Sequence, residues 1–404
     1  MSAESRGILW GAGLLAGFTA LLLLIGVLAP WAPPAEALRH FDPAYLVRAK
    51  AYSRARYLLF LAGQALPVAL LVWTIARGWD RALARWLLGL VGPRPVLAAV
   101  LIGAIVSVGI TAAGLPAGIA RFVLDHRYGL STQTVGLWLA DLGKSLLIGL
   151  AISSALLAAL FAAIRRWPAG WWAAAAAGFA LYLALSSFLG PVVIDPLFHR
   201  FTPVADAELA AESRQLARRA GVPVREVLVM DASRRTRRVN AYFTGFGATR
   251  RIVLYDTLLQ SYDRRQVLLV LAHELGHWRL HHIYLGIALG AAGSAGVFWL
   301  AQRLLAGAPG RPGDPAHVVV LVLFLTLASF AALPVQNAVS RTFERQADRF
   351  ALALTGDGPG MAELEKRLAR SNLADVAPHP FTVAVLFTHP PVLERIETAL
   401  AASR

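Results

Sequence analysis

The chain has 404 residues, 57% of them hydrophobic and 16% charged, far more apolar than an ordinary soluble domain. Its formal charge of +15 comes mostly from arginines flanking apolar stretches. That placement points to anionic lipid headgroups and away from nucleic acid, for which neither a known module nor basic–aromatic interleaving is present. Cysteine is absent, which excludes disulfides and thiolate ligands, so any metal must be held by histidine and carboxylate.

A membrane-spanning helix needs about 20 mostly apolar residues. Seven stretches qualify, at 8–31, 57–76, 96–120, 145–164, 171–191, 283–305 and 317–335. The first is expected to be a retained anchor, because Pro30, Pro33 and Pro34 stand where a cleavage site would follow. Residues 1–191 thus read as a membrane domain of five spans, and 283–335 as the sixth and seventh. No transporter-like repeat or low-complexity tract interrupts them.

Residues 192–282 and 336–404 break the apolar pattern. Two spans separate them, so both emerge on one side of the membrane, where they can form a single catalytic domain in two parts. Within the first part, residues 206–220 read as an amphipathic helix ended by Gly221 and Pro223. Short strands are expected at Glu226–Met230, Val239–Phe246 and Arg251–Tyr255, with Gly245, Gly247 and residues 248–250 supplying a turn. A further helix is expected from near Asp263 through the His-rich segment toward the sixth span. The loops 32–56 and 121–144, on the catalytic side, carry eight basic residues, and so does the opposite side. Charge bias therefore assigns no orientation.

Residues 273–277 read HELGH. Helical positions four apart differ by about 40° in azimuth and 6 Å in height, so His273 and His277 can converge on one ion. Glu274 projects beside them and can take a proton from water as it attacks a peptide carbonyl. A catalytic zinc with two histidines needs a third protein ligand. His281 lies on the same helical stripe but about 12 Å from His273, too far to share one ion, and reads as an interfacial histidine.

The third ligand is expected after the seventh span, in NAVSRTFERQADRFA (337–351). Asn337, Arg341, Glu344 and Asp348 form one polar stripe, with Phe343, Ala347, Phe350 and Ala351 on the other side. Glu344 can complete the ligand set, and Asp348, one turn on, can brace a ligand histidine. The fold class is thus predominantly α and polytopic, with a zincin-like catalytic domain that carries a small sheet.

HELGH followed by a glutamate in ERQAD, preceded by NAVSR and combined with seven spans, resembles the type I CAAX prenyl protease family. PLFHRFTPV (196–204), NAYFTGFG (240–247), IVLYDTLL (252–259), SNLADVAPHP (371–380), HPPVLERI (389–396) and DHRYGLSTQT (125–134) all look like that family's blocks. The resemblance covers essentially the whole chain. It implies one catalytic zinc on His273, His277 and Glu344, with Glu274 activating water. It further implies that Asn240, Ala241 and Tyr242 bind the scissile peptide as an edge strand, and that His389 stabilises the tetrahedral intermediate. Arg341 and Arg395 match family positions beside the site.

By the same resemblance, seven tilted helices ring a water-filled chamber and the catalytic side is cytoplasmic. The substrate is a peptide or protein, prenylated in the eukaryotic members. The short connection near 306–316 and the lack of an evident organelle-retention tail point to a prokaryotic cell membrane. Such cells generally lack the eukaryotic prenylation pathway, so general quality control of membrane proteins is the alternative role. Asp195 stands where the family usually has a small residue. Two other classes fit less well. An intramembrane site-2-type protease would bury HExxH in a span and supply an LDG-like aspartate, whereas Arg264, Arg265, Arg279, His281 and His282 surround this motif. A non-catalytic zinc sensor has no use for Glu274.

Overall fold

The protein is described here from a computed structural model, covering residues 1–222, 224–244 and 250–402. Sixteen α-helices and four strands are present among them. The first is α1 (Ala3–Leu28), whose N-terminus is capped by the Ser2 hydroxyl accepting the Ser5 N–H at 3.1 Å. A single turn, α2 (Ala35–Leu38), leads to α3 (Pro43–Ala76), α4 (Trp79–Val91), α5 (Pro95–Arg127), α6 (Val135–Arg166) and α7 (Trp171–Leu189). Each of the first five apolar stretches falls on one of these helices, although α1 and α7 stop two or three residues short of the expected ends and the others overrun them. Residues 43–56 and 121–127, expected as loops, are the polar ends of α3 and α5.

The overrun is held by polar contacts to the catalytic part. The Tyr52 hydroxyl donates to Asp125 at 2.6 Å, and Arg238 donates to both. Arg235 donates two hydrogen bonds to Asp141, at 2.8 and 3.0 Å. Lys50 pairs with Asp375 at 3.0 Å, and the Trp31 indole donates to the Ala377 carbonyl at 3.2 Å. Helix α4 was not expected, because it is too short to span and carries charges. It is amphipathic, with Ala84 and Leu87 buried and Trp79, Trp86 and Leu90 exposed beside Arg81 and Arg85, a composition suited to the membrane–water interface.

The α7 helix unwinds through a π-turn (Gly190–Ile194) and a 3₁₀-turn (Asp195–Leu197) into a four-stranded sheet. Its strands are β1 (Phe201–Pro203), β2 (Glu226–Met230), β3 (Ala241–Thr244) and β4 (Arg251–Tyr255), in the spatial order β1-β2-β4-β3. β2 and β4 run parallel and the outer pairs are antiparallel. β2 and β4 have the expected bounds, whereas three-residue β1 was too short to show a period. Helix α8 (Ala207–Arg219) crosses between β1 and β2, capped by Asp206 accepting the Leu209 N–H at 2.9 Å. The strand expected at Val239–Phe246 is β3, which begins at Ala241; its expected end at residues 245–246, most of the expected turn through residue 249, and Pro223, expected beside Gly221 at the end of α8, lie outside the described residues.

Helices α9 (Asp256–Ser261), α10 (Arg264–Arg279), α11 (His282–Ala306), α12 (His317–Ala331), α13 (Leu333–Thr355), α14 (Gly358–Asn372), α15 (Pro380–Leu386) and α16 (Val392–Ala401) complete the chain. The HELGH helix does not run on into the sixth span. It stops at Arg279, and His281 adopts a left-handed conformation with φ 60° before α11 begins. His281 therefore leaves the stripe expected for it. The seventh span is also broken, since α12 and α13 meet at 45°.

Among the described residues, six helices are long and apolar enough to cross a membrane, and the bent α12–α13 pair makes a seventh if it is one span. They close a ring, in which α3 packs on α5, α5 on α6, α6 on α7, α7 on α11, α11 on α12 and α12 on α3, with α1 against α11 and α12. At one end of the ring, Leu87, Ile102, Phe161, Trp171, Leu304 and Phe324 form a packed plug. At the other end, the sheet, α8–α10, α14 and α16 share a core that takes in Leu209, Ile252, Leu254, Leu275, Ala351 and Ile396. Between the two ends the walls are thin. The apolar stretches of α6, α7 and α11 have only 11%, 0% and 6% of their residues buried, as expected of helices facing lipid outside and a chamber inside.

Candidate metal centre and substrate edge

The HELGH motif lies in the C-terminal half of α10, whose N-terminus is capped by Asp263 accepting the Gln266 N–H at 2.9 Å. Gly276 lets α13 cross at close range, because a Cβ there would sit 3.1 Å from the Ala347 Cα and 3.2 Å from its carbonyl oxygen. The buried face of α13 holds Asn337, Glu344 and Asp348, and also Ala347 and Ala351. The polar stripe is thus the inward one, and these two alanines line it on the buried side, not on an opposite face.

The crossing brings His273, His277 and Glu344 to one point. The two Nε2 atoms are 3.1 Å apart, and the Glu344 oxygens lie 3.2 Å from His273 Nε2 and 3.4 Å from His277 Nε2. Tetrahedral ligands at about 2.0–2.1 Å from a shared ion are separated by roughly 3.3 Å, so the donor set fits a metal. Glu344 Oε2 is also buried without a hydrogen-bond donor, as an oxygen directed at a cation would be.

Behind His273 stands a charged brace. Its Nδ1 is 2.8 Å from Asp348, whose carboxylate accepts two hydrogen bonds from Arg395 at 2.6 and 2.8 Å. Arg395 also donates to Glu365 at 2.8 Å. Burial alone would lower the His273 pKa, but the neighbouring Asp348 and Glu344 carboxylates push it up to about 10. A metal bound there consequently displaces a proton. Burial pushes the Glu274 carboxyl up, opposed by His273 and His277, and burial likewise pushes Glu365 up to about 6. Glu365 was not expected. In the pattern AELEKRLAR it reads as one charge on a solvated helix face, yet it is 3% exposed.

The other expected residues fall into two groups. His389 lies half-exposed at the rim, its Nε2 3.3 Å from Glu344 Oε2 and its Nδ1 2.9 Å from the Thr388 hydroxyl. Arg341 and Asn337 bond elsewhere. Arg341 donates to the Val383 and Phe387 carbonyls at 2.9 and 2.7 Å, and the Asn337 amide donates to the Val385 carbonyl at 2.5 Å. Both tie α13 to α15 and to the loop that carries His389. The hydrogen bonds described for Arg341 and Asn337 thus support the loop that carries His389.

Strand β3 lies at the sheet edge, packed on α10. The Asn240 carbonyl accepts the Tyr255 N–H at 3.1 Å, so alternation turns Tyr242 and Thr244 toward β4 and directs the Ala241 and Phe243 backbone groups outward. No described strand pairs with that outer edge. The Ala241 N–H is capped by its neighbour's Asn240 Oδ1 at 2.9 Å. On the opposite face, the Tyr242 hydroxyl donates to Asp195 at 3.0 Å, which fastens the strand to the end of the fifth span. That bond gives Asp195 a structural role which its position in the sequence did not suggest.

A two-histidine, one-glutamate centre beside an open strand edge, set on a ring of spans, defines an integral multi-pass membrane metalloendopeptidase. Residues 203–403 match the family model for peptidase family M48, and residues 27–200 match that for the CAAX prenyl protease N-terminal, five membrane helices. The chain is 31% identical to the uncharacterized metalloprotease YhfN of Bacillus subtilis, across 90% of this chain and 88% of that one. It is 32% identical to CAAX prenyl protease 1 of Saccharomyces cerevisiae, across 70% of this chain and 67% of that one. The crystal structure of S. mikatae Ste24p superposes with a TM-score of 0.86 over 99% of each chain, at 25% identity. The chain belongs to peptidase family M48, and its fold is that of Ste24p. Membership implies a metal ion and a peptide or protein substrate.

Proposed function

We propose that the protein is a zinc endopeptidase that draws extended peptides onto β3 and cleaves them at the His273–His277–Glu344 centre. The observation that carries this is the convergence of the two Nε2 atoms on a carboxylate with one orphaned oxygen, beside an unpaired strand edge. Bound zinc would supply the positive charge that polarises the scissile carbonyl and acidifies water. Glu274, adjacent to the ligands, takes the proton from the attacking water and delivers it to the leaving amine. His389 is placed at the rim to hydrogen-bond the developing oxyanion. Ala241 and Phe243 hold the substrate backbone, the Asn240 side chain giving up the Ala241 N–H as the peptide pairs.

CAAX-type C-terminal processing is the substrate reading we favour, because the yeast relative carries that name over 67% of its length. The bacterial relative, at 88%, supports a prokaryotic cell membrane, and a cytoplasmic catalytic side is part of the same reading. Lipids surround the spans, and nucleic acid has no part in the reading. Purified enzyme is to be given a peptide ending in a prenylated cysteine motif and its unprenylated twin. CAAX processing predicts at least about a tenfold preference in kcat/KM for the lipidated form, since two buried methylenes at about 0.8 kcal/mol each would supply it. Equal rates would replace this substrate reading with general membrane-protein quality control.

A further inference from the structure

The second ligand histidine is braced differently from the first. His277 Nδ1 lies 3.0 Å from His282 Nδ1, and His282 Nε2 lies 2.9 Å from the Gln346 side-chain oxygen. The His282 ring stacks on Phe343 with centroids 4.4 Å apart and planes at 7°. Gln346 and Phe343 flank Glu344 on α13, so this chain of contacts returns to the helix that supplies the third ligand.

With the Gln346 side-chain oxygen facing His282 and His277 a metal ligand, the hydrogens in this row have one consistent arrangement. An amide oxygen only accepts, so His282 Nε2 carries the proton and donates to Gln346. A neutral imidazole then has its lone pair on Nδ1, which accepts from His277. His277 therefore bears its proton on Nδ1 and presents a bare Nε2 lone pair to the point shared with His273 and Glu344. Donor and acceptor alternate along the row without a mismatch.

The backbone makes this row possible. Had α10 continued as a helix, residue 282 would stand about 180° round from His273 and about 140° from His277. The left-handed turn at His281 (φ 60°, ψ 27°) ends α10 and starts α11 in a new direction, which returns the His282 ring to His277. A non-glycine residue in that region is uncommon and strained, so the turn is a local strain held by what it positions.

We infer that His282, oriented by Gln346 and by the left-handed turn at His281, is a positioning residue that fixes the metal-binding tautomer of His277. The inference rests on His277 being a metal ligand. A neutral brace of this kind orients the ring without adding charge, in contrast to the carboxylate behind His273. His281 itself acts through its backbone.

The test is metal affinity of the full-length protein in detergent, measured by competition of zinc against a chelator. Two variants separate hydrogen bonding from packing. His282→Asn keeps an acceptor near the Nδ1 position but loses the stacked ring, and His282→Phe keeps the ring but has no acceptor. The inference predicts zinc affinity within about threefold of the parent for His282→Asn and a loss of about 10–100-fold for His282→Phe. Equal affinity in the two variants, or the reverse order, would overturn it. Should either variant fail to yield monodisperse protein, Gln346 decides at the outer end of the row. Gln346→Leu is expected to weaken zinc binding several-fold and Gln346→Glu to preserve it, and no difference between the two would sink the inference. His277→Ala is the control. If it retains full zinc, the ligand assignment fails; if it loses zinc while the His282 variants behave alike, only the relay fails.

Discussion

The catalytic end and the membrane ring use helices in opposite ways. Around α10 and α13, His273, Glu344 and Asp348 are each less than 9% exposed, and polar groups are locked to one another through Arg395 and Glu365. In the ring, by contrast, the apolar stretch of α7 has none of its residues buried and that of α11 only 6%. A ligand set must be held to within about half an ångström, which takes packing on every side. A wall between lipid and a chamber needs only length, apolarity and closure with its neighbours. The lesson is that precision in this molecule is concentrated where the two polar segments meet, and substitutions should divide along that line.

The largest effect is expected at the centre itself. Glu344→Ala and His273→Ala should each lose bound metal, read by elemental analysis of purified protein, and with it all cleavage. Glu274→Gln should retain the metal while turnover falls about a hundredfold or more, because an amide cannot accept the proton from water. Metal retained at parent level by Glu344→Ala, or near-parent cleavage by Glu274→Gln, would break the assignment of roles.

One layer out, Asp348→Asn keeps an oxygen for His273 but removes the charge that holds Arg395. Metal affinity should fall by about 10–100-fold in chelator competition, with the fold retained. A smaller effect is expected at the strand edge. Ala241→Pro removes an outward N–H that makes no bond to β4, so the sheet and the metal should survive while KM for peptides rises several-fold. Peptide cleavage at the parent rate would remove β3 from the substrate site.

The smallest effects sharpen the comparison within the ring. Leu147, on α6, is 68% exposed, and Leu147→Ala should move the melting temperature by no more than about a degree or two. Phe161, on the same helix, is fully buried in the distal plug. Phe161→Ala should lower the melting temperature by several degrees, because it opens a cavity of aromatic size. Equal shifts would mean that the plug is no more tightly packed than the wall.

The sequence alone determined what local periodicity and composition can encode. Seven apolar stretches follow from the bilayer's thickness, and the HELGH pair follows from the pitch of a helix. The even number of spans between the two polar segments placed Glu344 on the same side as His273. The strands Glu226–Met230 and Arg251–Tyr255 were legible because each is a bounded β-prone run.

Tertiary structure decided everything that depends on which face meets which. The polar stripe of α13 turned inward because α10 crosses it at Gly276, a contact that no local pattern announces. Glu365 is buried because Arg395, 30 positions later in the chain, reaches it at 2.8 Å. Asp195 acquired a partner only when β3 was laid against the end of α7. His282 was hidden for the same reason. In sequence it is one more histidine after a helical motif, and only a left-handed residue at 281 returns its ring to His277. A helix period is set by bonds among neighbours and can be read from spacing, whereas the partner of a buried charge is chosen by packing across the whole chain.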